Sequence, residues 1–194
     1  IDYGSMVRRD ETGLDLGTFR PLDAIIGVSA SKPFSPKLSI GLTWNMIYSQ
    51  LESYSSFGTA IDMAGLYYDE DKEFSAALVV KNAGIQIKSF AGDRAPLPVE
   101  VQLGLTKKLA HAPFRFSLLA HHLNTWDLSF FDPFAPIQVD ALTGDTLQNQ
   151  GAGLGEKIFR HFSYQIEILF TKKFNLRAGF DYNRRKEFKI ETRP

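Results

Sequence analysis

The sequence predicts an all-β protein, an antiparallel up-and-down β-barrel that crosses a membrane through its strands. Three observations lead to this fold class. Apolar and polar residues alternate with a period of two in many segments, short and long connections follow one another in turn, and aromatic residues stand near the segment ends. No apolar run approaches the roughly 18–20 residues that a membrane-spanning helix needs.

The strands are predicted from the alternation. It is clearest over 38–48, where Leu42 and Trp44 fall on one face while Thr43 and Asn45 fall on the other. Similar patterns predict about nine strands, over 1–9, 24–32, 38–48, 59–68, 73–82, 97–106, 114–123, 162–171 and 176–182. Several of them approach the 9–11 residues with which a tilted strand crosses a bilayer.

The connections between these strands alternate in length. The tight connections are 33–36, 69–72, 107–113 and 172–173, and the longer ones are 10–22, 50–58, 83–96, 124–159 and the segment from Arg184 onward. Outer-membrane barrels have short turns on the periplasmic side and longer loops outside. The connection lengths therefore favour a barrel of this kind.

Aromatic residues flank the predicted turns and loops. Phe34, Phe74, Phe114 and Phe174 lie beside the tight turns, and Tyr48 and Tyr164 lie nearer the long loops. Two aromatic girdles at the lipid–water boundaries are typical of membrane barrels. Aromatic residues packed at the ends of a soluble β-sandwich would give the same pattern.

The composition of the two faces predicts that the apolar face points outward into lipid. The polar positions are mostly Ser, Gly, Thr, Asn and Gln, with scattered charges such as Arg115, Glu167 and Arg177, which suits a barrel lumen. A basic residue at mid-bilayer on the lipid side costs about 2–4 kcal/mol, and no clear strand carries one centrally on its apolar side. A soluble sandwich or lipocalin-like barrel, with its apolar set inside, is the alternative.

The organisation is predicted to be a single domain over 1–194, a partial barrel truncated at both ends. The chain opens at Ile1 and stops at Pro194 within a charged segment. A closed bacterial barrel needs an even number of strands, and an open sheet edge in lipid leaves backbone groups unpaired.

Composition and motifs exclude several kinds of chemistry. The chain has 22 basic and 22 acidic residues and no cysteine, which argues against a nucleic-acid binder and excludes thiolate sites. Neighbouring His121 and His122 are expected on opposite faces of a strand, where they cannot share a metal. The glycines at 151, 153 and 155 lack the strand and helix of a phosphate-binding loop. We therefore predict a non-enzymatic protein without catalytic residues, cofactor or metal.

The long connection 124–159 is the predicted functional segment. It contains Trp126, Phe130, Phe131 and Phe134, and long loops without secondary structure of their own are usually functional or disordered. Clustered aromatic residues favour a surface that binds a partner protein. Packing of the loop onto its own barrel explains the same residues equally well.

One stretch carries a family resemblance. Lys107–Leu118 reads KKLAHAPFRFSL and continues through HHLN at 121–124 to Trp126 and Asp127. With the flanking YGSM (3–6), GTF (17–19), YSQL (48–51), YSS (54–56) and KNAG (81–84), it resembles the PorQ family of the type IX secretion system over essentially the whole chain.

The resemblance implies a FadL-like barrel of 14 strands in the outer membrane of Bacteroidetes. It also implies a protein that holds a PorZ-like surface protein beside a PorV-like barrel and a PorU-like sortase, in the complex that attaches secreted cargo to lipopolysaccharide. Two other functions stay open on the residues alone. One is a FadL-like outer-membrane transporter of hydrophobic small molecules, and the other is a soluble β-protein with a carbohydrate-binding face.

Overall fold

The structure is a computed structural model, and it describes residues 1–90, 92, 94–129, 138–139, 146–147, 153–171 and 173–187. Its strands are β1 (Met6–Arg9), β2 (Asp15–Phe19), β3 (Leu22–Ser35), β4 (Leu38–Leu51), β5 (Tyr54–Asp69), β6 (Phe74–Lys88), β7 (Glu100–Lys108), β8 (Phe114–Ala120), β9 (Gln138–Val139), β10 (Thr146–Leu147), β11 (Phe162–Leu169) and β12 (Asn175–Asp181). Two short helices are α1 (Leu154–Phe159) and α2 (Tyr182–Glu187). The predicted all-β class is confirmed. Within the described ranges, no helix has both the length and the apolar character to span a membrane.

Eight strands form one sheet in the order β12-β11-β8-β7-β6-β5-β4-β3, with hydrogen bonds between neighbours. Apart from β9 and β10, which form a separate antiparallel pair, this order follows the chain, as an up-and-down arrangement requires. β1 and β2 form a further antiparallel pair. The chain groups into two compact units, Ile1–Tyr68 with Ala77–Val101, and Asp69–Ala76 with Gln102–Pro194.

In the first unit, the antiparallel register collects the apolar residues of β3, β4 and β5 on one face. Val28 pairs with Trp44, and Trp44 pairs with Ile61, so that large side chains line up across three strands. Most of these side chains are exposed, and 61% of Val28 is accessible. Trp44 satisfies its indole N–H on this face, because Nε1 donates to Thr59 Oγ1 at 2.7 Å.

The opposite face of the first unit carries short polar side chains that bond across the strands. The hydroxyls of Ser29 and Thr43 lie 2.9 Å apart. Asn45 Nδ2 donates to Asp62 Oδ2 at 2.8 Å, and Asp62 Oδ1 accepts the backbone N–H of Asn82 at 2.7 Å. The predicted separation of an apolar and a polar face therefore holds in this unit.

The second unit repeats the arrangement in β7, β8, β11 and β12. The pairs Leu105↔Leu118, Leu118↔Tyr164 and Tyr164↔Phe180 place apolar residues in one row. Phe116 and Ile166 belong to the next row, and 45% of Phe116 is accessible.

The polar face of the second unit is built around Glu167. Its two carboxylate oxygens bind Arg115 Nη1 and Arg177 Nε, each at 2.7 Å, and only 3% of the Glu167 side chain is accessible. Thr106 and Ser117 share a hydrogen bond of 2.9 Å on the same face. Charges on this face are thus paired between neighbouring strands.

Basic residues on the apolar faces of the paired strands lie near the tight turns and not at mid-strand. Lys32 pairs with Ile40 a few residues before the turn that joins β3 to β4. Lys107 pairs with Phe116 at the turn that joins β7 to β8, and its Nζ donates to the carbonyl of Lys72.

Several predicted boundaries are wrong. The first four strands of the sheet have 14 to 16 residues, so that the predicted long connection 50–58 shrinks to the turn between Leu51 and Tyr54. Glu52 in this turn has a φ of 52°. The predicted connection 10–22 contains β2. Of the predicted strand 1–9, the part that forms β1 pairs with β2, and Asp2 forms an isolated bridge with Leu22 at the start of β3.

The predicted end of the fifth strand at residue 82 is also wrong, because β6 continues to Lys88. Asn82 has a φ of 57°, a left-handed conformation that shifts the alternation by one residue. Before it the exposed apolar residue is Leu78, and after it the exposed apolar residues are Ile85 and Ile87. The change of phase hides the second half of the strand from a period-two pattern.

The sequence patterns also miss both helices. α1 lies within the predicted loop 124–159, and α2 begins at Tyr182, where the last predicted strand ends. Each has six residues, which is too short for a helical period to be recognised.

Candidate functional site

Three chain segments meet where β8 and β12 end and β11 begins. Ala120, the last residue of β8, pairs with Phe162, the first residue of β11. Ser163 pairs with Asp181, the last residue of β12. The residues that enter and leave the long connection are therefore brought together, and we call His121, Asp127, Glu156, Arg160 and His161 the loop-base cluster.

Two histidines hold the segments that leave β8 and enter β11. The backbone N–H of His121 donates to the His161 carbonyl at 2.9 Å, and His161 Nδ1 lies 2.9 Å from the His121 carbonyl. Both side chains are buried. His161 Nε2 lies 3.3 Å from the carbonyl of Trp126.

The expectation that His121 and His122 point to opposite faces is wrong. β8 ends at Ala120, and His122 has a φ of 53°, so that strand geometry no longer applies to the pair. Their Nδ1 atoms lie 2.8 Å apart and the rings meet edge to face.

Arg160 joins both helices to the segment after β8. Its Nη2 donates to Glu156 Oε1 in α1 at 2.9 Å, and its Nη1 donates to Asn183 Oδ1 in α2 at 3.1 Å and to the Leu128 carbonyl at 3.3 Å. Lys186 Nζ approaches the same Glu156 oxygen at 3.3 Å. A planar guanidinium with several donors suits this bridging position.

Asp127 forms the second ionic link of the cluster. Lys157 Nζ lies 2.6 Å from Asp127 Oδ2, and the Ser129 backbone N–H donates to Asp127 Oδ1 at 2.9 Å. The hydrogen bond from Lys157, aided by those from Ser129, holds the pKa of Asp127 well below its ordinary value. The hydrogen bond from Arg160 lowers the pKa of Glu156 in the same way. Both carboxylates are therefore stably ionised and weak proton acceptors.

Asp181 extends this network to β12. Its Oδ2 lies 3.6 Å from His121 Nε2 and accepts a hydrogen bond of 2.6 Å from Ser163 Oγ. Its Oδ1 accepts the backbone N–H of Arg184 at 2.9 Å. The network therefore fixes the ends of three strands with respect to the connection between them.

Of the predicted partner-binding residues, the structure describes Trp126. It lies on the loop-base cluster, with 61% of the residue exposed and its ring 6.3 Å from that of His161. Phe130, Phe131 and Phe134 lie outside the described residues. Other exposed apolar residues of the two loop segments are Leu123, Leu154, Ile158 and Phe159.

The residues of the loop-base cluster were not predicted as a site from the sequence. The one usable signal is the spacing of Glu156 and Arg160, four positions apart, which is the spacing of ion pairs on a helix. The contacts of His161 with His121 and of Arg160 with Asn183 join residues far apart in the chain, and no local pattern indicates them.

The arrangement can hold a long connection at a defined place on the sheet while large apolar side chains stay exposed.

Comparison with protein-family models, with curated proteins and with solved structures finds no match to this chain.

Proposed function

We propose that this chain forms part of the wall of a bacterial outer-membrane β-barrel that anchors a surface protein as a component of the type IX secretion system. The observation that carries the proposal is the division of each unit into two faces. One face exposes large apolar side chains such as Val28 and Phe116, and the other pairs its polar and charged groups.

Lipid is the environment that best suits the apolar faces. An apolar area that extends over three or four strands is unusual on the water-exposed surface of a monomer. In a bilayer the same area is favourable, provided that polar groups on it bond within the protein. Trp44 meets this condition through Thr59, whose own hydroxyl donates to the Asn45 carbonyl at 3.1 Å.

The polar faces suit the interior of a barrel. Charges inside a barrel have less water around them than charges on an open surface, so that pairing matters more there. Glu167 between Arg115 and Arg177, and Asp62 beside Asn45, meet this requirement. A fatty-acid transporter calls for an apolar lumen, and these polar faces speak against that alternative.

The anchoring role is supported by the loop-base cluster together with the resemblance to the PorQ family. The cluster fixes both ends of the connection and leaves Trp126 exposed beside it. Aromatic residues in a patch of apolar neighbours are frequent anchors of protein–protein interfaces. The partner is a PorZ-like surface protein, in a complex with PorV-like and PorU-like proteins that attaches cargo to lipopolysaccharide.

The test replaces residues 130–152 with a short Gly/Ser linker and keeps 121–129 and 153–161, so that the loop-base cluster stays intact. The tagged protein is then purified from mildly solubilised outer membranes, and its partners are identified by mass spectrometry. We expect the unaltered protein to recover the surface partner and the shortened variant to lose it while remaining in the membrane. A variant with Trp126→Ala alone should weaken recovery.

Unchanged recovery of the partner by the shortened variant would place the docking surface elsewhere. An unaltered protein that is purified with bound fatty acid and without protein partners would contradict anchoring and favour transport. A matched control is Leu22→Ala, which truncates an exposed apolar residue far along the chain from the connection and should leave recovery unchanged.

A further inference from the structure

We infer that the apolar face of the first unit carries a binding groove for one anionic phospholipid, with Lys32 as the contact for its phosphate. The inference rests on the proposed membrane location and adds a ligand to it. The groove has a volume of about 540 Å³, and its lining includes Lys32, Ile40, Gly65 and Leu78.

The small residues Ala30 and Gly65 leave space between larger neighbours, and this space forms the groove. Lys32, Ile40 and Gly65 pair in one row across β3, β4 and β5, and Ala30, Leu42 and Met63 pair in the next row. A side chain at Gly65 would meet no atom within 4 Å, so that the glycine leaves open space between larger neighbours. Leu78 and Val80 of β6 complete the wall.

The position of Lys32 places its charge near a bilayer surface. It lies three residues before the end of β3 at Ser35, which is about 10 Å along a strand. Phe34, exposed between Lys32 and the turn, is the kind of residue that marks the lipid–water boundary of barrels. From this level a lysine side chain can reach the phosphates while its methylene groups stay on the apolar surface.

The positive charge of Lys32 favours a lipid over a second copy of the chain as the occupant of the groove. The apolar-face positions at which β3, β4 and β5 pair with one another include no Asp or Glu. Asp69, the last residue of β5, is buried, so that a copy docking face to face would bury Lys32 without an exposed counter-ion. Such burial is costly. A phospholipid supplies a phosphate at the level of Lys32 and an acyl chain for the groove below it. Lys107, the corresponding basic residue of the second unit, already contacts the Lys72 carbonyl.

The test is native mass spectrometry of the detergent-purified protein with added phosphatidylglycerol or with phosphatidylcholine of the same acyl chains. We expect phosphatidylglycerol to be retained in preference. Lys32→Gln should weaken its binding about fivefold, the effect of one basic residue at a membrane surface, and Lys32→Arg should restore it. The matched control is Lys81→Gln, which removes a lysine that lines a pocket with Ser29, Thr43 and Asp62 of the polar face and should change nothing.

Gly65→Leu fills the groove and should reduce retention of both lipids. Equal retention of the two lipids, or no effect of Lys32→Gln, would overturn the lipid site while leaving the membrane location intact. Dimers in place of lipid-bound monomers would assign the groove to a second copy and also overturn it. A protein recovered from cells in the aqueous fraction without detergent would contradict the proposed function itself.

Discussion

Glu167 is the residue on which the polar face of the second unit depends most. It binds two arginines from two neighbouring strands, whereas Arg115 and Arg177 each bind this one carboxylate in the ion pairs described above. Removing the carboxylate leaves two cations close together, whereas removing one arginine leaves an ion pair in place. The consequences of the two changes should therefore differ.

We expect Glu167→Gln to lower the midpoint of unfolding in guanidinium more than Arg177→Gln does. The measurement is denaturant unfolding of the reconstituted protein, followed by tryptophan fluorescence. Equal effects of the two substitutions would mean that the Arg115–Glu167 pair adds no stability once Arg177 is lost, and would contradict the central role of the carboxylate.

Asp127 and Glu156 make the loop-base cluster sensitive to acid. Hydrogen bonds from Lys157 and Arg160 lower their pKa values from 3.8 and 4.5 respectively. A carboxyl whose pKa is lower in the folded than in the unfolded state stabilises the fold above its unfolded pKa. This stabilisation is lost as the pH falls through the folded pKa. The cluster should therefore be intact at neutral pH and open progressively below about pH 4.

Fluorescence of Trp126 as a function of pH, in a Trp44→Phe background, measures this opening. The double variant Asp127→Asn with Glu156→Gln should have a weakened cluster already at pH 7 and little further change in acid. If the Trp126 fluorescence of the double variant changes with pH as it does without the two substitutions, groups other than Asp127 and Glu156 cause the transition.

Within the strands, the close approach of β5 and β6 at Gly84 sets a strict limit on side-chain size. A Cβ at this position would lie 2.0 Å from the Thr59 carbonyl oxygen and 2.5 Å from Ala60 Cα. Ala60 is itself fully buried. Backbone atoms cannot move aside as a flexible side chain can, so the strands would have to separate.

We therefore expect Gly84→Ala to destabilise the protein by at least about 1–3 kcal/mol, the usual effect of overpacking. Gly65→Ala is the matched control, because Gly65 in β5 has open space around it and should tolerate the methyl group. Denaturant unfolding compares the two variants. Equal stability would show that β6 does not approach β5 as closely as described.

Strands with an undisturbed alternation could be predicted from the sequence, and the others could not. Leu42 and Thr43 sit on the faces that period two assigns to them, and the strand around them is confirmed. The predicted strand 73–82 is shorter than β6 because Asn82, in a left-handed conformation, shifts the phase of the alternation, so that the residues after it do not continue the pattern before it. α1 was missed because six residues contain fewer than two helical turns.

The candidate site could be predicted only where composition carried the signal. Trp126 was predicted as partner-binding because it is a large aromatic residue in a long connection, and the structure places it beside the loop-base cluster. Arg160 and His161 were not, since their role depends on partners that the chain brings close only when β8, β11 and β12 have paired. Site residues that are defined by contacts between distant parts of the chain can be recognised only once the fold is known.

For the whole molecule, the central part of our proposal is that one face of the strands contacts lipid and the other contacts water. Neighbouring residues on a strand test it directly, because they point to opposite faces. The protein has no cysteine, so single cysteines can be introduced at Val28 and Ser29, and at Phe116 and Ser117, without a background.

The decisive measurement attaches a spin label at each of these four positions in the reconstituted protein and compares its collisions with oxygen, which is concentrated in lipid, and with a water-soluble nickel complex. We expect labels at 28 and 116 to collide mainly with oxygen and labels at 29 and 117 to collide mainly with the nickel complex. The reverse pattern, or labels at 28 and 116 that neither reagent reaches, would mean that the apolar residues lie inside a soluble β-protein and would contradict the membrane barrel.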